Sequence, residues 1–153
     1  MIKNEQQAKI TESKLAAHRE RMARLRTKYP RKADFEFYSE ATQDQIEQME
    51  RELEYYELAK GGDVGRLIRL WNERGSVQGG KGLLRLGDLI ALLRVARGWT
   101  QEQLAERLGL DQAHVARYER SDYAGYSVDV LDRIFRVLGA KLTLGSLDLP
   151  NAA

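Results

Sequence analysis

Four side chains in the segment QAHVARYER could read a patterned surface of hydrogen-bonding groups: Gln112, Ala113, His114 and Arg117. A Gln can bond an adenine edge with two hydrogen bonds, an Arg can do the same to guanine, and the Ala113 methyl can touch a thymine methyl. His114 can donate to a guanine or to a phosphate. Val115 and Tyr118, three residues apart, take the inward side of the same helix and leave those four facing out. Arg97 and Arg120 flank this part of the chain as charge for a phosphate backbone, which sets affinity and not sequence choice. The plainer readings are an exposed helix His and solvated Arg side chains.

Other chemistries find little to work with. The chain of 153 residues has no Cys and two His, so a disulfide scaffold, a thiolate zinc site and a His-based metal centre are not expected. GSVQGGKG at 75–82 matches the first seven positions of a phosphate-binding loop. Gly82 then stands where Ser or Thr must supply a magnesium-coordinating hydroxyl, and the preceding segment reads as helix, so this is a linker. No nucleophile–base pair is evident. We expect no enzyme, no catalytic residue, no metal and no cofactor. No apolar run approaches the ~20 residues that cross a bilayer, and the start is polar, which gives a cytoplasmic location as the expectation.

The elements that must hold the reading residues are well punctuated. LGDLIALLRVAR reads as one helix ended by Gly98. Thr100 is an N-cap with Gln103 three residues on, the capping-box spacing, and Leu104, Ala105 and Leu108 give the buried face of the next helix. Gly109 ends it, Leu110 inserts into the turn, and Asp111 can cap the helix QAHVARYER. Ser127 caps a further helix, with Leu131, Ile134, Phe135 and Leu138 closing the core.

TQEQLAERLGLDQAHVARYER resembles the helix-turn-helix of the Xre, lambda-repressor-like family of DNA-binding regulators. Thr100, Gln101, Leu104, Ala105, Gly109, Leu110, Val115 and Glu119 carry the match, which extends over roughly residues 86 to 139. Small Ala105 lets the two helices approach, Gly109 accepts the turn, and Leu110 and Val115 fill the space between. The resemblance implies a phosphate contact at Gln101 and a structural ion pair between Arg94 and Glu119. Ala113, His114 and Ala116 replace the Ser or Thr residues usual on the reading face, and Ser121 replaces a frequent Gly, so base preference cannot be carried over. A weaker resemblance, over RYERSDYAGYSVDVLDRIFRVLG, is to antitoxin-type and phage-type regulators.

After Gly139, AKLTLGSL alternates like a strand, and a lone strand needs a partner for its backbone groups. Pairing with the same strand of a second copy, with Leu142 and Leu144 at the seam, gives a homodimer that would read an inverted repeat. The alternative is a disordered or helix-docked tail.

The amino-terminal half has segregated charge: residues 9–32 are net +7, 34–57 net −8, and 60–120 net +4. Ala8, Leu15, Met22 and Tyr29 recur every seven residues, with His18 and Leu25 between them, while Ile46, Met49, Leu53 and Tyr56 form a coiled-coil seam. Pro30 interrupts a continuous rod. An antiparallel hairpin of oppositely charged helices follows, a candidate oligomerisation or partner-binding element. The basic stretch from Lys9 to Lys32 reads either as a nucleic-acid arm or as a solvated face complementing the acidic partner, and the second is preferred.

The expected fold class is therefore all-α: a helical hairpin or coiled-coil extension (1–60), a short helix and Gly-rich linker (61–85), and a helix-turn-helix domain with a short carboxy-terminal strand (86–147). The expected partner is double-stranded DNA, bound by a repressor. The alternative is an antitoxin-like protein that neutralises a toxin and controls its own operon.

Overall fold

A computed structural model describes residues 1–75 and 86–141, and of residues 71–75 the backbone alone. The described residues form seven α-helices and no strand. The strand expected after Gly139, with Leu142 and Leu144, falls from Leu142 onward outside the described residues, as does all but the first residue of the glycine-rich segment 75–82.

α1 (Glu5–Lys28) starts at Asn4, whose side chain accepts the Gln7 backbone N–H, and α2 (Lys32–Lys60) starts directly after Arg31. The break is only Tyr29 to Arg31, because proline restricts the backbone of the residue before it and then lets a helix restart. α2 thus begins earlier than the Ile46–Tyr56 spacing alone indicates. Phe35, Ser39 and Thr42 continue that spacing backward, with Ser39 and Thr42 buried despite their hydroxyls. The two helices run antiparallel within one chain. Tyr29 stacks on Tyr38 at the tip with ring centroids 4.2 Å apart, Arg19 meets Glu50 at 2.7 Å midway, and Ile2, Ala8 and Tyr56 share a buried cluster at the foot.

The opposite charges contribute less than their totals suggest. Lys9–Glu5, Arg24–Glu20, Lys32–Glu36 and Arg51–Glu47 pair within their own helices at the surface, where an i,i+4 ion pair contributes about 0.3–0.5 kcal/mol. The seam between the helices is the stronger term.

α3 (Val64–Gly75) leads toward α4 (Leu86–Ala96). α4 is buried from Gly87 to Arg94, Asp88 and Arg94 included, because neighbouring helices pack on more than one of its sides. Leu89, Ile90 and Leu93 face a core completed by α5 (Gln101–Leu108), α6 (Gln112–Arg120) and α7 (Val128–Val137), through Leu104, Ala105, Leu108, Val115, Ile134, Phe135 and Leu138. Leu92 turns the other way, into a cluster with Tyr55 and Ala59 of α2 and Leu67 of α3, and Val95 packs against the Ile2–Ala8–Tyr56 group. The hairpin and the carboxy-terminal helices therefore share α4.

Gly87 permits a further close approach. A Cβ there would sit 2.1 Å from the Asp122 carbonyl oxygen, in the turn after α6 where Asp122 and Tyr123 both have left-handed backbones at φ 50 and 58.

Candidate nucleic-acid interface

The connection between α5 and α6 is fixed by local chemistry. The Thr100 side chain accepts the Gln103 N–H at 3.1 Å and the Gln103 Oε1 accepts the Thr100 N–H at 2.9 Å, a reciprocal capping box. Gly109 closes α5 in the left-handed region, at φ 65 and ψ 36, where a Cβ is costly. The Leu110 N–H returns to the Ala105 carbonyl at 2.9 Å, the bond that defines a Schellman turn. Asp111 occupies the N-cap of α6, but its side chain makes no capping bond; its carboxylate lies 3.7 Å from His114 Nδ1 instead. The expected side-chain cap is corrected on this point, because the carboxylate turns toward the imidazole and leaves the helix amides.

From this turn α6 is anchored by Val115, fully buried, and by Tyr118, whose ring lies 4.2 Å from that of Tyr126 and 5.9 Å from that of Tyr123. Gln112, Ala113 and Arg117 are exposed on its outer side, and His114 is half-buried. Arg117 and Arg120 make no ion pair among the described residues.

Behind the helix lies a buried polar knot. Arg94 of α4 is 6 % exposed and Glu119 of α6 is 2 % exposed. The Arg94 Nε donates to Glu119 Oε1 at 2.6 Å and its Nη2 to Oε2 at 3.1 Å, a bidentate pair, while its Nη1 donates to the Trp99 carbonyl at 2.7 Å. Gln101 is half-buried and its Nε2 donates to Glu119 Oε2 at 2.9 Å, so the side-chain amide is directed inward. The guanidinium of Arg97 donates through Nε to the Leu138 carbonyl at 3.0 Å and so closes the carboxy-terminal end of α7. Arg133 does the same for α5, through the Leu108 carbonyl at 2.9 Å.

Sequence reading missed the residue that ties this knot to the hairpin. Lys3 donates through Nζ to the Glu119 carbonyl, pairs with Asp122 Oδ1 at 2.8 Å, and its own carbonyl accepts Arg94 Nη2 at 3.2 Å. A cation here sits at the carboxy-terminal end of α6, where the helix dipole favours it. No local pattern around Lys3 announces contacts more than ninety residues away.

Tyr123 completes the knot. Burial first, and then the neighbouring Glu119 carboxylate, push its phenol well above the usual tyrosine range. Its hydroxyl has no hydrogen-bond partner among the described residues.

Two short helices crossing at a capped, left-handed turn, the second held with a polar side outward, are a helix-turn-helix, the arrangement that lays a helix into the major groove of DNA. Residues 90–144 match the family model described as Helix-turn-helix. That part of the chain is an Xre, lambda-repressor-like DNA-binding domain, and the protein is a DNA-binding transcription regulator. Neither a curated protein nor a solved structure matches the chain. Among the described residues no helix is long and apolar enough to cross a membrane.

Proposed function

We propose that the chain is a sequence-specific repressor whose α6 reads the major groove through Gln112, Ala113, His114 and Arg117. The observation that carries this reading is the exposure of Gln112, Ala113 and Arg117 together on the outer side of α6, while Val115 and Glu119 bury the opposite side. Arg117 is free to present its fork to a guanine, and Gln112 to present its amide to an adenine. Arg120, exposed at the end of α6, serves the phosphate backbone. The Gln101 and Arg97 side chains already hold internal partners, so a phosphate contact at either position uses what those bonds leave over: the remaining Arg97 donors, or the backbone amides at the start of α5.

Two copies acting across a two-fold axis, joined through Leu142 and Leu144, would present two α6 helices one helical turn of DNA apart, roughly 34 Å, and so select an inverted repeat. Repression would follow from occupancy of a promoter. The division of labour in this reading assigns DNA to residues 86–147 and partner contacts to the hairpin of 1–60. An antitoxin-type variant draws its support from the hairpin tip, where Phe37 is 75 % and Tyr38 50 % exposed. A tight stoichiometric complex with the product of an adjacent gene would mark that variant.

Selection of duplexes by the full chain from a random pool tests the proposal. The expected product is one enriched motif with two-fold symmetry; a pool that stays random after repeated selection contradicts sequence reading by α6.

A further inference from the structure

The hairpin carries a row of cations that its partner helix does not neutralise. Arg19 of α1 reaches Glu50 of α2, and the Arg26 guanidinium lies 4.8 Å from the Phe35 ring centroid, so one flank of α1 faces the α2 row that holds Glu36, Glu50 and Glu57. The other flank of α1 bears Lys14, Arg21 and Lys28 at seven-residue intervals, which a paired helix places in line. The α2 row across from it is Tyr38, Gln45, Glu52 and Ala59. Tyr38 is stacked on Tyr29, Gln45 is uncharged, and Glu52 takes the Met1 amino group at 3.3 Å. Lys14 and Arg21 are exposed and make no ion pair among the described residues, and Lys28 lies over the Tyr29 ring at 5.2 Å. Arg24 borders the row, 3.7 Å from Glu20.

The row also lies on a particular side of the molecule. Ala59, at the foot of the facing α2 row, is buried in the cluster that contains Leu67 and Leu92. The basic flank therefore rises from the side of the hairpin to which α4 and the DNA-binding helices are attached. Lys14 to Lys28 spans about 21 Å of helix. A polyanion already held by α5 and α6 extends well beyond the few base pairs one helix reads, and duplex DNA offers a negative charge every ~1.7 Å along its axis.

We propose that Lys14, Arg21 and Lys28 form a second, sequence-independent contact to the DNA backbone outside the segment read by α6. This rests on the DNA-binding reading and adds to it a surface outside the helix-turn-helix. Neutralising the row leaves base choice unchanged and reduces the number of counterions released on binding.

The test compares the full chain, a Lys14→Gln/Arg21→Gln/Lys28→Gln variant, and a Lys9→Gln/Lys32→Gln/Arg51→Gln variant. The last removes the same charge from cations already paired within their own helices. Affinity for a mixed-sequence duplex of about 40 base pairs, roughly four helical turns, is measured between roughly 50 and 200 mM salt. The first variant is expected to lower the slope of log affinity against log salt by about two to three. The second should leave it near the wild-type value, and circular dichroism should show both variants as helical as the wild type. Equal slopes for all three chains overturn the proposal while leaving α6 as a DNA reader. An equal fall in both variants also overturns it, since that marks a general charge effect, and so does a row needed only for binding an acidic protein. A wild-type chain that binds no duplex removes both readings.

Discussion

Glu119 shows how a single residue can serve both core and interface. Its carboxylate receives Arg94 and Gln101, and its carbonyl receives Lys3, so one buried residue ties α4, α5 and the start of the chain to the back of α6. Removing one partner strands the other charge in a buried site. Arg94→Met should therefore destabilise the protein by about 3–5 kcal/mol, read from urea denaturation; a loss below ~1 kcal/mol, the size expected of a surface pair, would show that the pair is not buried in solution. Tyr123 gives a pH signature. Its folded phenol is held neutral, so its titration in the folded state lies above the ordinary value near 10. The associated stability is fully present below about pH 10 and is lost as pH rises above it toward the raised folded value, because only the unfolded chain releases the proton readily. Tyr123→Phe should flatten this alkaline loss and cost little at neutral pH, since no hydrogen bond to the hydroxyl is forfeited among the described residues. Melting curves at neutral and alkaline pH would show it, and an undiminished alkaline loss in the variant would point to another group.

Among the elements, α4 is the one on which the rest depend. Most helices of a small domain show one face to the core, whereas α4 gives Leu89, Ile90 and Leu93 to one cluster and Leu92 to another. Leu92 makes no contribution to the helix-turn-helix core, so its cost on truncation measures the hairpin junction alone. Leu92→Ala should destabilise by about 2–5 kcal/mol in thermal or urea unfolding while leaving base preference unchanged; a neutral result would mean that the junction is loose. Much of the carboxy-terminal half was legible because its signals are local: Thr100 with Gln103, Gly109 in the turn, and Val115 and Tyr118 three apart. The hairpin was partly legible. Its apolar repeats stood out, but Ser39 and Thr42 are seam positions filled by small polar side chains, and no hydropathy pattern marks them. Asp111 read as a side-chain cap because its type and place fit, yet the nearby imidazole competes for the carboxylate. Arg97 read as free charge because nothing local reveals that the last turn of α7 lies within its reach. Lys3 and the two-sided burial of α4 are products of long-range packing and leave no trace within a short window.

At the scale of the whole molecule, the hairpin is attached to the DNA-binding helices by an apolar junction and by the Lys3 contacts. A chain lacking residues 1–62 should retain its helices and its base preference, while its affinity for DNA falls by what Lys14, Arg21 and Lys28 contribute. It should melt at a lower temperature and self-associate, since Leu92, Val95 and Ala96 would then face water. Calorimetry and sedimentation of the shortened chain would report both; an unchanged melting temperature would show that the junction contributes nothing. α6 is thus held from behind by the chain's own first residues, so movement of the hairpin would be felt at its carboxy-terminal end, away from the start proposed to contact bases.

The proposed role of α6 is to discriminate between sequences through its outer side. Its most direct measurement is the affinity of the wild-type chain and of Arg117→Ala for a selected duplex and for a scrambled duplex of the same length and salt. We predict a loss of about 1–3 kcal/mol on the selected duplex, with little change on the scrambled one. An equal loss on both would contradict the claim, because Arg117 would then be contacting the backbone and not the bases.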